Sequence, residues 1–374
     1  MWRRFSSLIL PLALLALAAC AAEEKVTPAP GTPMAETRPA WEQEWERVLA
    51  AAKQEGKLTI LGPVGTPARE GLAEPFQKKY GISVELLGMS SAEAATKLQT
   101  ERTAGQYLWD IMVHGTSPGV LLTAQGLYDP IKPALVLPEV KEPKNWVDGR
   151  LEFADSAETY NLAFLDVPAL MLVYNKNLVA PDELKSYRDL LNPKWKGKIA
   201  ANDPKIAGVG QSAFTFFYAK YGEDFVRDLA KQELALSRDV RQVIEWVAQG
   251  RTAISIGNNV DFVKEFLGQG TPIAVIDTLE GKGFVSVGWG SLFLINKAPH
   301  PNAARLYINW LLSKEGQIAV SKASGFPSRR PDAAAAIAEE WTKRRPGVEY
   351  LPVYKEDMVK RRQEIADVLG RYFP

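Results

Sequence analysis

The 374-residue sequence contains one cysteine, Cys20, and only two histidines, His114 and His300. A single cysteine allows no internal disulfide, so the fold rests on packing alone. Two histidines leave little material for a His-based metal site, and there is no His-Glu-x-x-His helix. No carboxylates cluster beside a histidine in the sequence. Charge of one sign is missing as well: Lys plus Arg is 45 and Asp plus Glu is 44. That balance gives no support for nucleic acid or a broad anionic membrane surface as partner. No apolar run reaches the roughly 20 residues that a membrane-spanning helix needs.

What is present begins at the N-terminus. Met1-Trp2-Arg3-Arg4 is basic, Leu8 to Ala19 is apolar, and Leu17-Ala18-Ala19-Cys20 follows the small-residue pattern of a secretory cleavage site. Leu-Ala-Ala-Cys also resembles the bacterial lipobox, in which the cysteine is lipidated and becomes the mature N-terminus. Residues 1–20 therefore read as a lipoprotein signal peptide with Cys20 as the lipidated residue. Residues 21–40, with Pro28, Pro30, Pro33 and Pro39, cannot bury a core and read as a flexible tether.

From Trp41 onward the chain alternates strands and helices. Trp41, Trp45, Val48, Leu49 and Ala52 fall at helical spacing, and Gly56 ends that helix. Lys57 to Leu61 reads as a buried strand running into Gly62-Pro63-Val64-Gly65-Thr66-Pro67. Thr66 is the expected N-cap of the next helix, with Pro67 in its first turn. Ile82 to Leu87 is a second strand, and Ser90-Ser91-Ala92-Glu93 spells a capping box. Asp110 to His114 is a third strand, followed by a Gly-Thr-Ser turn and a helix. Further strands are expected at Ile199 to Ala201, Arg251 to Gly257, Phe284 to Val287 and Leu292 to Asn296, and the tail from Pro331 reads as mainly helical. Such alternation indicates an α/β architecture with parallel strands between helices. Ligands in these sheets sit beyond the carboxyl ends of the strands.

That rule selects the candidate site. Val64, Gly65 and Thr66 present backbone N–H groups at a helix start, though ordinary helix capping explains them equally well. His114, Thr116 and Ser117 follow the third strand. Gly208 and Gly210 form a glycine loop that allows a carboxylate or phosphonate to approach the backbone. Gly208-x-Gly210-x-x-Ala213 also matches part of a dinucleotide fingerprint, but the acidic residue expected about 20 positions on is not evident. Arg238 precedes a helix and can pair with an anion in a fork geometry, or simply form a surface ion pair. Trp289, between two glycines, is a stacking wall or a core residue, and Tyr174 lines a hinge or packs in the core. No cofactor and no metal ligand set is expected.

Two stretches carry a family likeness. Leu172-Val173-Tyr174-Asn175-Lys176-Asn177-Leu178 is followed by Tyr187-Arg188-Asp189-Leu190-Leu191-Asn192-Pro193-Lys194-Trp195-Lys196-Gly197-Lys198-Ile199. Pro299 to Gln317 contains Trp310-Leu311-Leu312-Ser313-Lys314-Glu315-Gly316-Gln317. Together they resemble the bacterial extracellular solute-binding proteins of ABC transporters, in the branch that includes iron(III)-binding proteins. The resemblance implies a type II periplasmic-binding-protein fold, with two α/β lobes, a ligand cleft and hinge crossings. Lobe 1 is expected over 41–167 and 284–325, and lobe 2 over 168–283 and 330–374. The crossings are expected near Pro168 to Tyr174, Gly281 to Val287 and Gly325 to Arg330. The resemblance further implies a monomeric receptor that hands a small solute to an ABC permease and does no chemistry of its own.

The family's iron binders carry adjacent tyrosines after the strand that here is Arg251 to Gly257. This chain has Asn258-Asn259 at that place and no Tyr-Tyr pair anywhere. Neutral amides donate and accept hydrogen bonds and suit a polar organic solute, most simply an anionic one. The alternatives are a ferric-ion receptor with other oxygen ligands and, in other classes, an exported hydrolase or a sensory lipoprotein.

Overall fold

The computed structural model describes residues 38–373 except 170, 181, 207 and 336–339. The expected signal peptide, Cys20 and nearly all of the expected tether lie outside the described residues. Helix α1 (Ala40–Glu55) buries Val48 and Ala52 and ends at Gly56, whose φ of 66° is left-handed. Strand β1 (Lys57–Gly62) leads into α2 (Thr66–Ala68), a π-helical stretch Arg69–Ala73, and α3 (Glu74–Tyr80). The N-cap of α2 is Gly65 rather than Thr66. The chain turns there at φ 102°, so Thr66 is already helical and its hydroxyl caps nothing. Strand β2 (Ser83–Gly88) precedes α4 (Ser91–Thr103), and the Ser90/Glu93 capping box forms in both directions. Strand β3 (Ile111–His114) and helix α5 (Ser117–Thr123) follow, then β4 (Tyr128–Asp129), α6 (Pro138–Lys141), β5 (Glu152–Phe153) and β6 (Leu162–Ala163).

Strand β7 (Val167–Pro168) opens a different sheet, and β8 (Leu172–Asn175) and β9 (Ile199–Asn202) build another. Between them, Tyr187–Leu191 is a short 3-10 helix capped by Ser186 and Asp189. Helix α7 (Val209–Ala230) is kinked at Gly222. Then come β10 (Ala235–Ser237), α8 (Val240–Ala248), β11 (Ile254–Ile256), α9 (Val260–Gly268) and β12 (Ile273–Ile276). The chain returns through β13 (Lys282–Ser286) and β14 (Ser291–Ile295) to α10 (Pro301–Leu312) and α11 (Lys314–Ser324). It closes with α12 (Pro331–Ala334), β15 (Glu349–Pro352) and α13 (Glu356–Tyr372), so the tail carries a strand as well as helices.

Three sheets result. A seven-stranded sheet has the order β2-β1-β3-β14-β6-β5, with β4 also on β14. Strand β1 is parallel to β2 and β3, whereas β14, arriving from far along the chain, is antiparallel to β3 and β6. The five-stranded sheet has the order β10-β9-β11-β8-β12. Its strands β9, β10 and β11 run parallel, and β8 is antiparallel to β11 and β12. A three-stranded sheet, β15-β13-β7, lies along the expected crossings.

In that region three chain segments run side by side. Val167 and Pro168 pair with Ser286 and Val285, and Leu165 pairs with Ser328. Backbone bonds from Asp166 N to Pro327 O (2.8 Å) and from Arg329 N to Phe164 O (2.9 Å) complete the contact. One buried cluster fills a face of the seven-stranded sheet, with Ile60, Val113 and Trp310, and continues to Val173, Ile244 and Val263 beside the five-stranded sheet. A second gathers Phe214, Phe216, Phe217 and Ile254 around Tyr187. Each fully buried side chain of this size stabilises by about 1.5–3 kcal/mol relative to exposure.

Candidate ligand site at the strand ends

Because β1 and β3 are parallel, their carboxyl ends bring the 63–66 loop and the His114–Ser117 turn to one edge. The first of these is open. Val64 is 69% exposed, and Gly65 and Thr66 line a groove of about 410 Å³ with Arg69, Val84 and Leu86.

The second is built more tightly. His114 is 2% exposed, and burial lowers its pKa to about 4. Its Nδ1 lies 3.5 Å from Ser91 Oγ, and its buried Nε2 has no partner among the described residues. A neutral imidazole of this kind can give or take one hydrogen bond from a solute. Thr116 is buried and its carbonyl accepts from Asn161 Nδ2, while Ser117 is exposed at the start of α5. The turn at Gly288–Gly290 packs directly on Gly115, since a Cβ there would stand 3.3 Å from Gly288 O. Trp289 is thereby brought beside the His114 turn, half-buried between the rings of Phe164 and Phe326.

Gly115-Thr116-Ser117-Pro118-Gly119 also spells Gly-x-Ser-x-Gly between a strand and a helix, the sequence form of a hydrolase elbow. The backbone is not that of an elbow. Thr116 is right-handed helical, at φ −74° and ψ −19°, and Ser117 is an ordinary first helical residue. The ring of His114 bonds towards Ser91, so this loop presents no serine–histidine pair.

The five-stranded sheet supplies a second edge. Asn202 ends β9, opposite Ser237 of β10, and is 4% exposed. Its Nδ2 donates to Ser237 O at 3.0 Å, and its Oδ1 accepts from Gly210 N at 3.1 Å. A Cβ on Gly210 would fall 2.2 Å from Asn202 O, and one on Gly257 would fall 2.7 Å from Gly210 Cα. The glycines at 210 and 257 thus let the loops after β9 and β11 close on one another. Asn202 is the residue at the centre, and the strand-end rule does not select it. The available signal is a polar residue closing a short buried strand whose other residues, Ile199, Ala200 and Ala201, are apolar.

The other candidates fall differently. Asn258 turns its amide back on Ser255, accepting from Oγ at 2.6 Å and donating to the carbonyl at 3.3 Å. Asn259 caps α9, its Oδ1 accepting from Asp261 N at 2.7 Å. Gly208 is the N-cap of α7 and accepts from Ser212. The Arg238 side chain is 82% exposed, 3.7 Å from Asp203. Tyr174 pairs with Ile254, at the opposite end of β8 from the edge where Leu172 meets Ile256. Among the described residues no group of three or more His, Cys, Asp and Glu gathers to hold a metal ion. None of their helices is long and apolar enough to cross a membrane.

Mixed sheets joined by paired crossings define a binding-protein architecture, and the comparisons agree. Iron-bound HitA from Pseudomonas aeruginosa superposes at a TM-score of 0.66 over 85% of this chain and 99% of its own, with 18% identity. The periplasmic binding protein AfuA from Actinobacillus pleuropneumoniae, with fructose-6-phosphate bound, does so at 0.61 over 84% and 98%, with 21% identity. An uncharacterized Haemophilus influenzae protein is 24% identical over 281 residues, 72% of this chain and 77% of that one. The fold is that of the type II periplasmic binding proteins. Residues 62–318 match the bacterial extracellular solute-binding proteins, and the chain belongs to that family. Membership makes it the solute-binding component of an ABC transporter, exported from the cytoplasm and working with a permease.

Proposed function

We propose that this chain is a lipid-anchored receptor that captures a small, polar, anionic organic solute outside the cytoplasmic membrane. Cys20 is the anchor and residues 21–40 the tether. The lobes are 41–167 with 284–325, and 168–283 with 330–374, closing about the crossings over a cleft between the two strand-end edges. Closure of this kind distinguishes loaded from empty receptor for the permease without chemistry.

The observation that carries the reading is the pair Asn258-Asn259 where iron-binding relatives have tyrosines. Both amides here are engaged in holding the loop and capping α9, and neither is a phenolate that could offset a ferric ion. The neutral His114 ring and the glycine-lined loop at 208–210 are suited to hydrogen bonding with an oxyanion. AfuA, with its bound hexose phosphate, is a structural relative that fits this class. A second reading, a ferric-ion receptor with other oxygen ligands, draws on the likeness to iron-bound HitA.

Native mass spectrometry of the purified full chain, before and after unfolding and refolding, tests the choice. The reading expects one small organic adduct per chain that unfolding releases. An iron adduct without an organic partner favours the second reading.

A further inference from the structure

Among the described residues the fully buried arginines, Arg329 and Arg330, meet carboxylates, whereas the half-buried Arg102 keeps Nε and Nη1 without a hydrogen-bond partner but has Asp129 and Glu101 near it. Arg329 meets Asp166, Arg330 meets Glu139 and Asp332, and Arg344 meets Asp166. Arg362 differs. Its Nη2 donates to Val353 O at 2.6 Å, and Nε is sealed from solvent with no partner among the described residues. Burial lowers its pKa to about 10, and no charged group among the described residues offsets that effect. Leaving a cation desolvated without a counter-charge is costly, so such a group usually has an anion to meet.

Its position says where that anion would come from. Arg362 lies on the buried stripe of α13 with Met358, Ile365 and Leu369. Helix α13 packs against α5 and α7, which begin directly after the His114–Thr116 turn and the Gly208 loop. Val353, the acceptor of the one Arg362 bond, donates its own N–H to Val285 in the crossing strand β13. The guanidinium is thus linked through Val353 to β13, on a helix that packs against α5 and α7. The residue as a whole is half-buried rather than fully buried.

We propose that Arg362 is a solute-binding residue that recognises the carboxylate or phosphate group of the ligand. This rests on the receptor reading given above. A planar fork of N–H donors matches either oxyanion in bidentate geometry, and the shared chemistry is two oxygens bearing one delocalised charge.

The test compares the full chain, stripped of bound solute, with R362Q and R362K. The probes are inorganic phosphate, citrate, glucose 6-phosphate and ferric ion, with glucose as the uncharged control, read by calorimetric titration and by melting temperature. The wild type is expected to bind at least one of the anions, and R362Q to bind it at least tenfold more weakly. R362K keeps the charge, loses the fork and falls between. The ligand-free melting temperature of R362Q should not drop, because an unpaired cation has been removed. Equal affinity in wild type and both variants overturns the role of Arg362 and leaves the receptor reading intact. A wild type that binds glucose or ferric ion and none of the anions overturns the anionic class itself. A melting temperature several degrees lower in R362Q, with affinity unchanged in R362K, assigns the residue to structure.

Discussion

Asp166 and Arg329 form an ion pair at 2.9 Å between two segments that also bond through their backbones. Both are almost fully buried, at 5% and 1% exposure. Arg344, from the segment leading to β15, takes the same carboxylate with two bonds of 2.6 Å. One aspartate thus ties the segment leading into β7 to the Pro327–Arg330 segment and to the segment leading to β15. Removing its charge leaves two guanidinium groups without their shared partner. D166N is expected to destabilise the chain by about 3–5 kcal/mol, the range for breaking a buried pair from one side. Urea unfolding measures this, and a loss below about 1 kcal/mol would contradict the assignment.

A second prediction concerns Tyr187, which lies in one of the two stretches that identify the family. Its hydroxyl donates to Lys282 O at 2.8 Å and accepts from Leu279 N at 3.1 Å. The ring packs among Phe216, Phe217 and Tyr221. Y187F keeps the ring and leaves the Leu279 N–H and Lys282 carbonyl without this partner, so a loss of about 1–3 kcal/mol is expected. Solute affinity should not change. Altered affinity at unchanged stability would place Tyr187 in the site instead.

The loop contact at Gly210 gives a third. Adding one methyl group in G210A puts a carbon into the Asn202 carbonyl, which cannot yield as a flexible side chain would. Backbone shifts of that kind cost about 1–3 kcal/mol. Melting temperature should fall and solute binding should weaken with it. Wild-type behaviour in G210A would show that the loops after β9 and β11 are not locked together.

His114 predicts a pH dependence. Its pKa is lowered by burial from 6.5 to about 4, so the unfolded chain binds the proton more readily. Stability contributed by this residue is full above about pH 6.5 and is lost as pH falls towards 4. The total is on the order of 3 kcal/mol. H114Q should flatten the stability profile in that window. An unchanged slope would mean that His114 does not carry it.

The strands and their order of appearance were legible because buried strands and capped helices leave local marks. The Ser90–Glu93 capping box and strand β3 form where their residues indicate. What local pattern does not contain is pairing at a distance. Strand β14 reaches the seven-stranded sheet from residue 291, and β15 joins β13 from a tail that reads as helical. The short strands β10 and β12 were likewise not distinguished from loop. For the site, the strand-end rule led to His114, Gly208 and Gly210, since loops after parallel strands can be placed without knowing side-chain directions. It did not lead to Asn202, which looks like a strand residue until its amide is seen between two loops. Nor did it lead to Arg362, whose neighbours Lys360 and Arg361 make the run look like a solvated helix face.

The central claim is that the chain binds an organic anion rather than a bare ferric ion. It is tested most directly by the melting temperature of the ligand-stripped protein against carboxylates, phosphate esters, phosphonates, polyols, amino acids and ferric iron. A ligand at about a thousand times its dissociation constant stabilises by roughly 4 kcal/mol, which moves the melting temperature by several degrees at this size. The account predicts that an organic anion produces that shift and that ferric iron does not. A shift with ferric iron alone would contradict it and make this a metal receptor with ligands other than the tyrosine pair.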